Sequence, residues 1–90
     1  MDNDGYPDDN ELQRIREWPK DWAALLEYVH SLWWMPSWGW SQDGNTYKFS
    51  TGGWSGNEDL IAALEGNWAF WMICWVQSRR GGHYIFTVEE

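Results

Sequence analysis

The sequence predicts a small α+β domain, and three of its features carry that prediction. Apolar residues recur three and four positions apart between residues 21 and 34, which is the period of an α-helix packed on a core. Turn residues of β-hairpins follow at Asp43-Gly44 and at Gly81-Gly82. A chain of 90 residues has room for one hydrophobic core. We therefore expect two N-terminal helices, a β-hairpin, a helix and a second β-hairpin, with a small antiparallel sheet packed on the helices.

The first ten residues are predicted to be a flexible acidic arm, and residues 11–90 to be the single domain. Five acidic residues and no basic residue lie within the first eleven positions, in a chain whose net charge is −8. Such a segment fits either a solvated tail or a docking element. The remaining chain has no surplus of Lys and Arg that could displace counterions from a phosphate backbone. Direct nucleic-acid binding is therefore not expected.

Two helices are predicted before the first hairpin. The first covers residues 11–17, with Asn10 or Asp9 as its N-cap and Pro19 as its stop. The second covers residues 21–34 and ends before Pro36. Its apolar stripe consists of Trp22, Leu25, Leu26, Val29, Leu32 and Trp33.

The first hairpin is predicted over residues 38–51, with Asp43-Gly44 as a tight primed turn. This turn pairs Trp40 with Tyr47 and Trp38 with Phe49, so the four rings share one face. The other face carries Ser41, Thr46 and Lys48. We expect a half-buried hairpin.

A third helix is predicted over residues 57–65. Ser55 followed three positions later by Glu58 has the form of a capping box, and Gly66-Asn67 is a stop signal. Residues 68–77 could continue this helix, but the stop before them and the Gly81-Gly82 turn after them favour a strand. That strand would pair with residues 84–88 as a central hairpin with two apolar faces. Helices or a second subunit must then cover both faces, so a homodimer is one of the two arrangements that the sequence allows.

Two loops carry the residues that favour recognition of a ligand or partner. The 50–58 loop leads through three glycines into a helix N-terminus, which suits an anion. The 78–84 loop places two arginines, a histidine and a tyrosine at a hairpin tip, which suits a phosphate or a carboxylate beside stacking rings. A structural turn and a solvated tip are the respective alternatives. The predicted recognition face consists of Trp54, Asn57, Glu58, Arg79, Arg80, His83 and Tyr84.

Other chemistry is not indicated by the sequence. One Cys and two His cannot make a structural zinc site, so no metal and no cofactor are expected. The segment around Ser55 lacks the final glycine of a nucleophile elbow, and Ser55 is better placed as a helix cap. Cys74 has no second cysteine to pair with. The polar, acidic start and the short apolar run at 68–76 argue against a signal peptide and a membrane span, which favours a cytoplasmic location.

Two segments of the sequence resemble a known family. The stretches STGGWSGNE (50–58) and SRRGGHY (78–84), with Phe70-Trp71-Met72 between them, are similar to short uncharacterised proteins encoded by tailed bacteriophages. The similarity covers about residues 25–86 and leaves out the acidic arm. The resemblance implies a small non-structural phage product, active in the infected bacterial host on a host protein or a host signal. It transfers no activity.

The sequence thus predicts a non-catalytic phage accessory protein that antagonises a host defence function by binding. In the leading hypothesis it sequesters a small, nucleotide-like anion, with Arg79 and Arg80 on the phosphate and aromatic rings on the base. In the alternative it inhibits a host effector protein, in the manner of anti-CRISPR or anti-restriction proteins, through exposed tryptophans and its acidic surface. A small enzyme of unknown type is the third hypothesis.

Overall fold

A computed structural model describes residues 6–33 and 39–88. These residues form four helices and one four-stranded antiparallel sheet, which confirms the predicted α+β fold. The helices are α1 (Asp9–Arg16), α2 (Trp22–Leu32), α3 (Ser55–Gly66) and α4 (Trp68–Cys74). The strands are β1 (Trp40–Asp43), β2 (Thr46–Ser50), β3 (Trp75–Arg79) and β4 (His83–Thr87).

Helix α1 starts two residues before its predicted start because Asp8 caps it, in place of Asn10 or Asp9. The Asp8 carboxylate accepts a hydrogen bond from the Glu11 amide at 2.8 Å, and the Glu11 carboxylate accepts one from the Asp8 amide at 2.9 Å. This reciprocal pair is a capping box, which satisfies two amides at once.

Part of the predicted flexible arm lies against the domain. The Tyr6 ring lies 4.9 Å from the Trp54 ring, measured between centroids. The Tyr6 hydroxyl is hydrogen-bonded to Ser55 Oγ at 3.1 Å. Residues 6–10 are therefore attached to the start of α3 or belong to α1, whereas residues 1–5 lie outside the described residues.

Helix α2 follows the predicted apolar period. Asp21 caps it by accepting a hydrogen bond from the Ala24 amide at 3.2 Å. Leu25, Leu26 and Val29 are fully buried, as the stripe requires. The helix ends at Leu32, two residues before its predicted end, because Trp33 has an extended backbone conformation.

The first hairpin turns one residue later than predicted. Asp43 pairs with Thr46, so the turn consists of Gly44 and Asn45. Gly44 has a φ of 63°, which the first central position of a type II′ turn needs.

This change moves the strand pairing without changing the faces. Trp40 pairs with Phe49, where the sequence predicted Tyr47. Because side chains alternate with a period of two, a two-residue shift keeps each side chain on its predicted face. Trp38, the predicted partner of Phe49, lies outside the described residues.

Helix α3 starts at Ser55, and the predicted capping box is absent. Trp54 is the N-cap residue and makes no side-chain capping bond. The Ser55 hydroxyl contacts Tyr6 instead, and Glu58 is exposed in the first turn. The helix start is stabilised from the N-terminal segment rather than by a local cap.

Residues 68–74 form helix α4, so the predicted strand is wrong there. The Asn67 side chain explains the difference, because its Oδ1 caps α4 by accepting a hydrogen bond from the Phe70 amide at 3.2 Å. Its Nδ2 donates to the carbonyls of Ile15 at 2.9 Å and Trp18 at 3.0 Å. The Gly66-Asn67 stop therefore ends one helix and starts another, and the strand begins only at Trp75.

The second hairpin contributes one edge strand, β3, and one central strand, β4, to the sheet, whose strand order is β1-β2-β4-β3. Arg79 pairs with His83, so the loop has three residues, Arg80, Gly81 and Gly82, where two were predicted. The pairing is irregular between Trp75 and Gln77, which marks a β-bulge. The central strands are β2 and β4, so the predicted central position is wrong for β3.

The core lies between one face of the sheet and the helices. Phe86 of β4 has ring centroids 5.3 Å from both Phe49 of β2 and Phe70 of α4. Trp33, after α2, lies 5.3 Å from Phe49. The described helices cover only this face of the sheet. On the other face, Lys48 and His83 are exposed. We call that other face the open face.

Candidate functional site

The two loops predicted for recognition lie side by side. They follow β2 and precede β4, which are adjacent strands. The Thr51 amide donates a hydrogen bond to the Gly82 carbonyl at 3.0 Å. The approach is so close that a Cβ atom on Gly82 would lie 2.2 Å from Thr51 Oγ1. The juxtaposition that the ligand hypothesis needs is therefore present in the fold.

A polar row crosses the open face next to this junction. Ser50 of β2 pairs with His83 of β4, and His83 pairs with Arg79 of β3. Cross-strand partners in antiparallel sheets have Cβ atoms about 4.5–5.5 Å apart. The Ser50 hydroxyl and His83 Nδ1 are hydrogen-bonded at 2.7 Å. Three strands thus place a hydroxyl, an imidazole and a guanidinium in line.

A second row lies two residues further along the strands. Ser41 pairs with Lys48, and Lys48 pairs with Ile85, which also pairs with Gln77. Lys48 therefore lies two residues from Ser50 on β2, and strand β4 separates it from Arg79 on β3. In this row the apolar residue Ile85 lies between Lys48 and Gln77.

These rows line a shallow concavity of about 390 Å³, which we call the sheet cavity. Its volume is within the range of small-molecule sites. Its lining includes Lys48, Arg79 and His83 but no carboxylate, although the chain carries a net charge of −8. The Arg79 Nε donates to Gln77 Oε1 at 3.1 Å, which uses one of its five N–H donors. The cavity is therefore locally suited to an anion.

The seven predicted site residues divide between several surfaces. Arg79 and His83 line the sheet cavity, whereas Arg80 is exposed at the hairpin tip and does not line it. The Tyr84 ring lies 6.5 Å from the Trp71 ring on the helical side of the sheet. Alternation along β4 explains this separation, because neighbouring residues point to opposite faces.

The predicted residues around the start of α3 take other roles. Asn57 is buried, with 2% of its surface exposed, and its Nδ2 donates to the Thr51 carbonyl at 3.3 Å. It holds the loop and offers no surface to a ligand. Trp54 is half-buried against Tyr6, and Glu58 is exposed on α3. Of the predicted recognition face, Arg79, His83 and Tyr84 line the sheet cavity, and the Tyr84 ring lies on the helical side of the sheet.

Sequence reasoning missed Lys48, Ser50 and Ser41 as members of the site. The polar face predicted for the first hairpin does contain Lys48 and Ser41. The pairing of β2 with β4 was not predicted from the sequence, because it joins residues more than thirty positions apart. The usable signal was the alternation Lys48, Phe49, Ser50, in which polar residues flank a core residue.

The Ser50 and His83 pair resembles half of a nucleophilic site. Catalytic serines depend on a histidine that a third group orients. No described residue supplies a carboxylate that hydrogen-bonds to His83. The described parts of the chain also contain no group of three His, Cys, Asp or Glu side chains that could hold a metal ion. The arrangement is suited to donating hydrogen bonds.

A second concavity, of about 450 Å³, lies between α2 and β1. Its lining includes Glu27 and His30, and the His30 ring lies 4.8 Å from the Trp40 ring. The carboxylate of Glu27 makes this groove less suited to an anion than the sheet cavity.

Within residues 6–33 and 39–88, no helix has the length and apolar character needed to cross a membrane. Comparisons of the chain with models of protein families, with curated proteins and with solved structures gave no match. The resemblance to phage proteins therefore stays a prediction from two sequence segments.

Proposed function

We propose that the protein binds a small phosphate-bearing anion in the sheet cavity and does not catalyse a reaction. The observation that carries the proposal is the row of Ser50, His83 and Arg79, which three adjacent strands hold in register. Lys48 adds a second cation in the next row. In the phage context that the sequence resemblance implies, binding of this kind would withdraw a nucleotide signal from the host.

The chemistry of these side chains supports a phosphate. A guanidinium donates two parallel hydrogen bonds to a phosphate, and a lysine adds a point charge. Strands β2 and β4 are central in the sheet, so Lys48, Ser50 and His83 stand on rigid backbone before the ligand arrives. A preorganised site loses less conformational entropy on binding.

The size and charge of the protein support a small ligand rather than a polymer. A cavity of about 390 Å³ holds a nucleotide-sized molecule. The net charge of −8 repels a long polyanion outside the cavity. Ile85, between the two polar rows, offers an apolar contact for a sugar or a base.

The test is calorimetric titration with mononucleotides, cyclic dinucleotides and inorganic pyrophosphate. Loss of a hydrogen bond to a charged group costs about 1.5–3 kcal/mol, so Arg79→Ala is expected to weaken binding by roughly 10- to 100-fold. Lys48→Ala is expected to act in the same direction. Arg80→Ala and Lys20→Ala are the matched controls, because they remove the same charges at exposed positions outside the cavity lining.

Two results would contradict the proposal. If Arg80→Ala weakens binding as much as Arg79→Ala, net charge rather than the sheet cavity attracts the ligand. If no phosphate compound in the panel gives heat at millimolar concentration, the site does not bind this class. Incubation followed by chromatography is expected to return each ligand unchanged, whereas an enzyme would release product beyond one equivalent.

A second candidate function is inhibition of a host effector protein. It is favoured by the acidic character of α3, which packs on α1 and carries no basic residue. The exposed acids on α3 are Glu58, Asp59 and Glu65. Co-purification with a host protein that is lost at high salt and in Glu58→Lys would support this function in place of anion binding.

A further inference from the structure

Helix α4 and the start of β3 present an exposed apolar face, which we call the α4–β3 face. Its members, with the exposed share of each residue's surface, are Trp68 (73%), Met72 (63%), Ile73 (64%), Trp75 (43%) and Val76 (48%). The opposite side of α4 is buried at Phe70 and Cys74. The helix is therefore apolar all round, although only half of it is packed, and such a helix is normally covered on both sides.

The size of this face is unusual for a monomer. Two tryptophans and three aliphatic or thioether side chains at these exposures amount to an apolar area on the order of 600 Å², the upper range for a monomer's largest patch. Two such faces in contact would bury about 1,200 Å², which reaches the size of specific protein interfaces.

The face also lacks charge. No residue from position 66 to position 78 carries a charged side chain, although 22% of the chain is charged. In an interface with two-fold symmetry the same surface meets itself, so any charge near the axis would face its own copy. Partners of a different kind are usually selected by complementary charges, which this face does not offer.

From these observations we propose that the α4–β3 face is the contact of a symmetric homodimer. The dimer expected from the sequence depended on a hairpin with two apolar faces, which does not exist. The present proposal rests on the uncovered half of α4. Each copy would place Trp68, Met72 and Ile73 against the same face of the other copy.

The β-bulge in β3 explains why association would stop at two chains. An exposed edge strand can pair with further strands without limit, and a bulge interrupts the regular row of backbone groups. In β3 the irregularity lies between Trp75 and Gln77, within the face. Side-chain contacts of α4 are therefore the main source of the interface.

The dimer and the anion site are independent of each other. Phe70 of α4 packs on Phe86, so α4 lies on the helical side of the sheet. The sheet cavity lies on the open face. Arg79→Ala is expected to leave the dimer intact, and disruption of the dimer is expected to leave the fold of the cavity unchanged.

Sedimentation equilibrium from low to high micromolar protein tests the proposal. The expected mass is twice the chain mass of 10.7 kDa. Ile73→Glu places a carboxylate in the face, and it is expected to return the monomer mass. Ala62→Glu is the matched control, because Ala62 is exposed on α3 one turn from Glu58 and outside the face. This control is expected to remain a dimer.

Trp68→Ser is a second test variant, in case Ile73→Glu unfolds the protein. It removes apolar area at the most exposed member of the face without adding charge. It is expected to weaken the dimer while far-UV circular dichroism stays native. A monomer mass for the unchanged protein at high micromolar concentration would overturn the proposal. The face would then be a contact for a different protein. Masses that grow beyond the dimer, or a dimer that survives both folded variants, would overturn it as well.

Discussion

Replacement of Asn67 by alanine is expected to cost more stability than loss of the Asp8 or the Asp21 helix cap. Asn67 is 4% exposed, and its amide group makes three hydrogen bonds to backbone atoms of α4, Ile15 and Trp18. Loss of an N-cap costs about 1 kcal/mol. Loss of the two bonds donated by Nδ2 costs about 1 kcal/mol for each, although the Ile15 carbonyl still accepts a hydrogen bond from the Trp18 amide at 3.3 Å. The expected loss in the free energy of unfolding is about 3 kcal/mol.

Urea denaturation followed by circular dichroism measures this loss, and thermal melting gives a second estimate. A destabilisation of 1 kcal/mol lowers the melting temperature of a domain of this size by about 4–8 °C, so Asn67→Ala is expected to lower it by roughly 12–24 °C. Asn10→Ala is the control, because Asn10 is exposed on α1, and changes at such surface positions are usually within about 0.5 kcal/mol.

Asn67→Asp separates the two roles of this side chain. Aspartate is as good an N-cap as asparagine, so the bond to the Phe70 amide survives. The donor is lost, and a carboxylate oxygen then faces the carbonyls of Ile15 and Trp18. Asn67→Asp is therefore expected to be at least as destabilising as Asn67→Ala at neutral pH. A variant with nearly native stability would refute the reasoning, because capping alone would then account for Asn67.

Three further predictions concern a glycine, a cap and the thiol. Gly82→Ala is expected to lower the free energy of unfolding, measured by urea denaturation, several times more than Gly44→Ala. Both glycines have a positive φ, but only a Cβ atom on Gly82 would lie against Thr51 Oγ1, at 2.2 Å. Equal losses for the two variants would contradict this prediction. Asp8→Ala is expected to lower the free energy of unfolding by about 1 kcal/mol through loss of the cap, whereas Asp9→Ala should change it by less than half as much. Burial raises the pKa of the Cys74 thiol from 9.0 to about 11. The unfolded chain therefore loses this proton first as the pH rises, so stability should fall between about pH 9 and 11, and Cys74→Ala should flatten that fall.

The parts of the fold that could be predicted are those determined by local patterns. The stripe of α2 and the glycines of both hairpin turns follow from spacing and residue type. Even where the first turn moved by one residue, Trp40 and Phe49 stayed on one face, because alternation is preserved by a shift of two.

The parts that could not be predicted depend on contacts between distant residues. The apolar run at 68–77 fits a helix or a strand by local propensity. Asn67 decides between them through bonds to Ile15 and Trp18, which lie 52 and 49 positions away in the chain. Ser55 likewise has the right form for a capping box, but its hydroxyl contacts Tyr6.

The same division applies to the candidate site. Arg79 and His83 could be predicted because their residue types and the glycines beside them stand out in the sequence. Lys48 and Ser50 join them only through the pairing of β2 with β4. Asn57 and Arg80 were predicted from their neighbours in the sequence, but Asn57 is buried and Arg80 lies in the hairpin loop, so neither lines the cavity. Tyr84 lines it, but alternation along β4 directs its ring to the helical side of the sheet.

The alternation along β2 and β4 has a consequence for how this protein can diversify. In these two strands Lys48 and Ile85, which line the sheet cavity, are followed by Phe49 and Phe86, which belong to the hydrophobic core. Substitutions at the outward positions can therefore alter ligand preference while the interior stays intact. Insertion or deletion of a single residue in either strand would exchange the two sets, so descendants of this chain should vary by replacement there and change length only in the connecting loops.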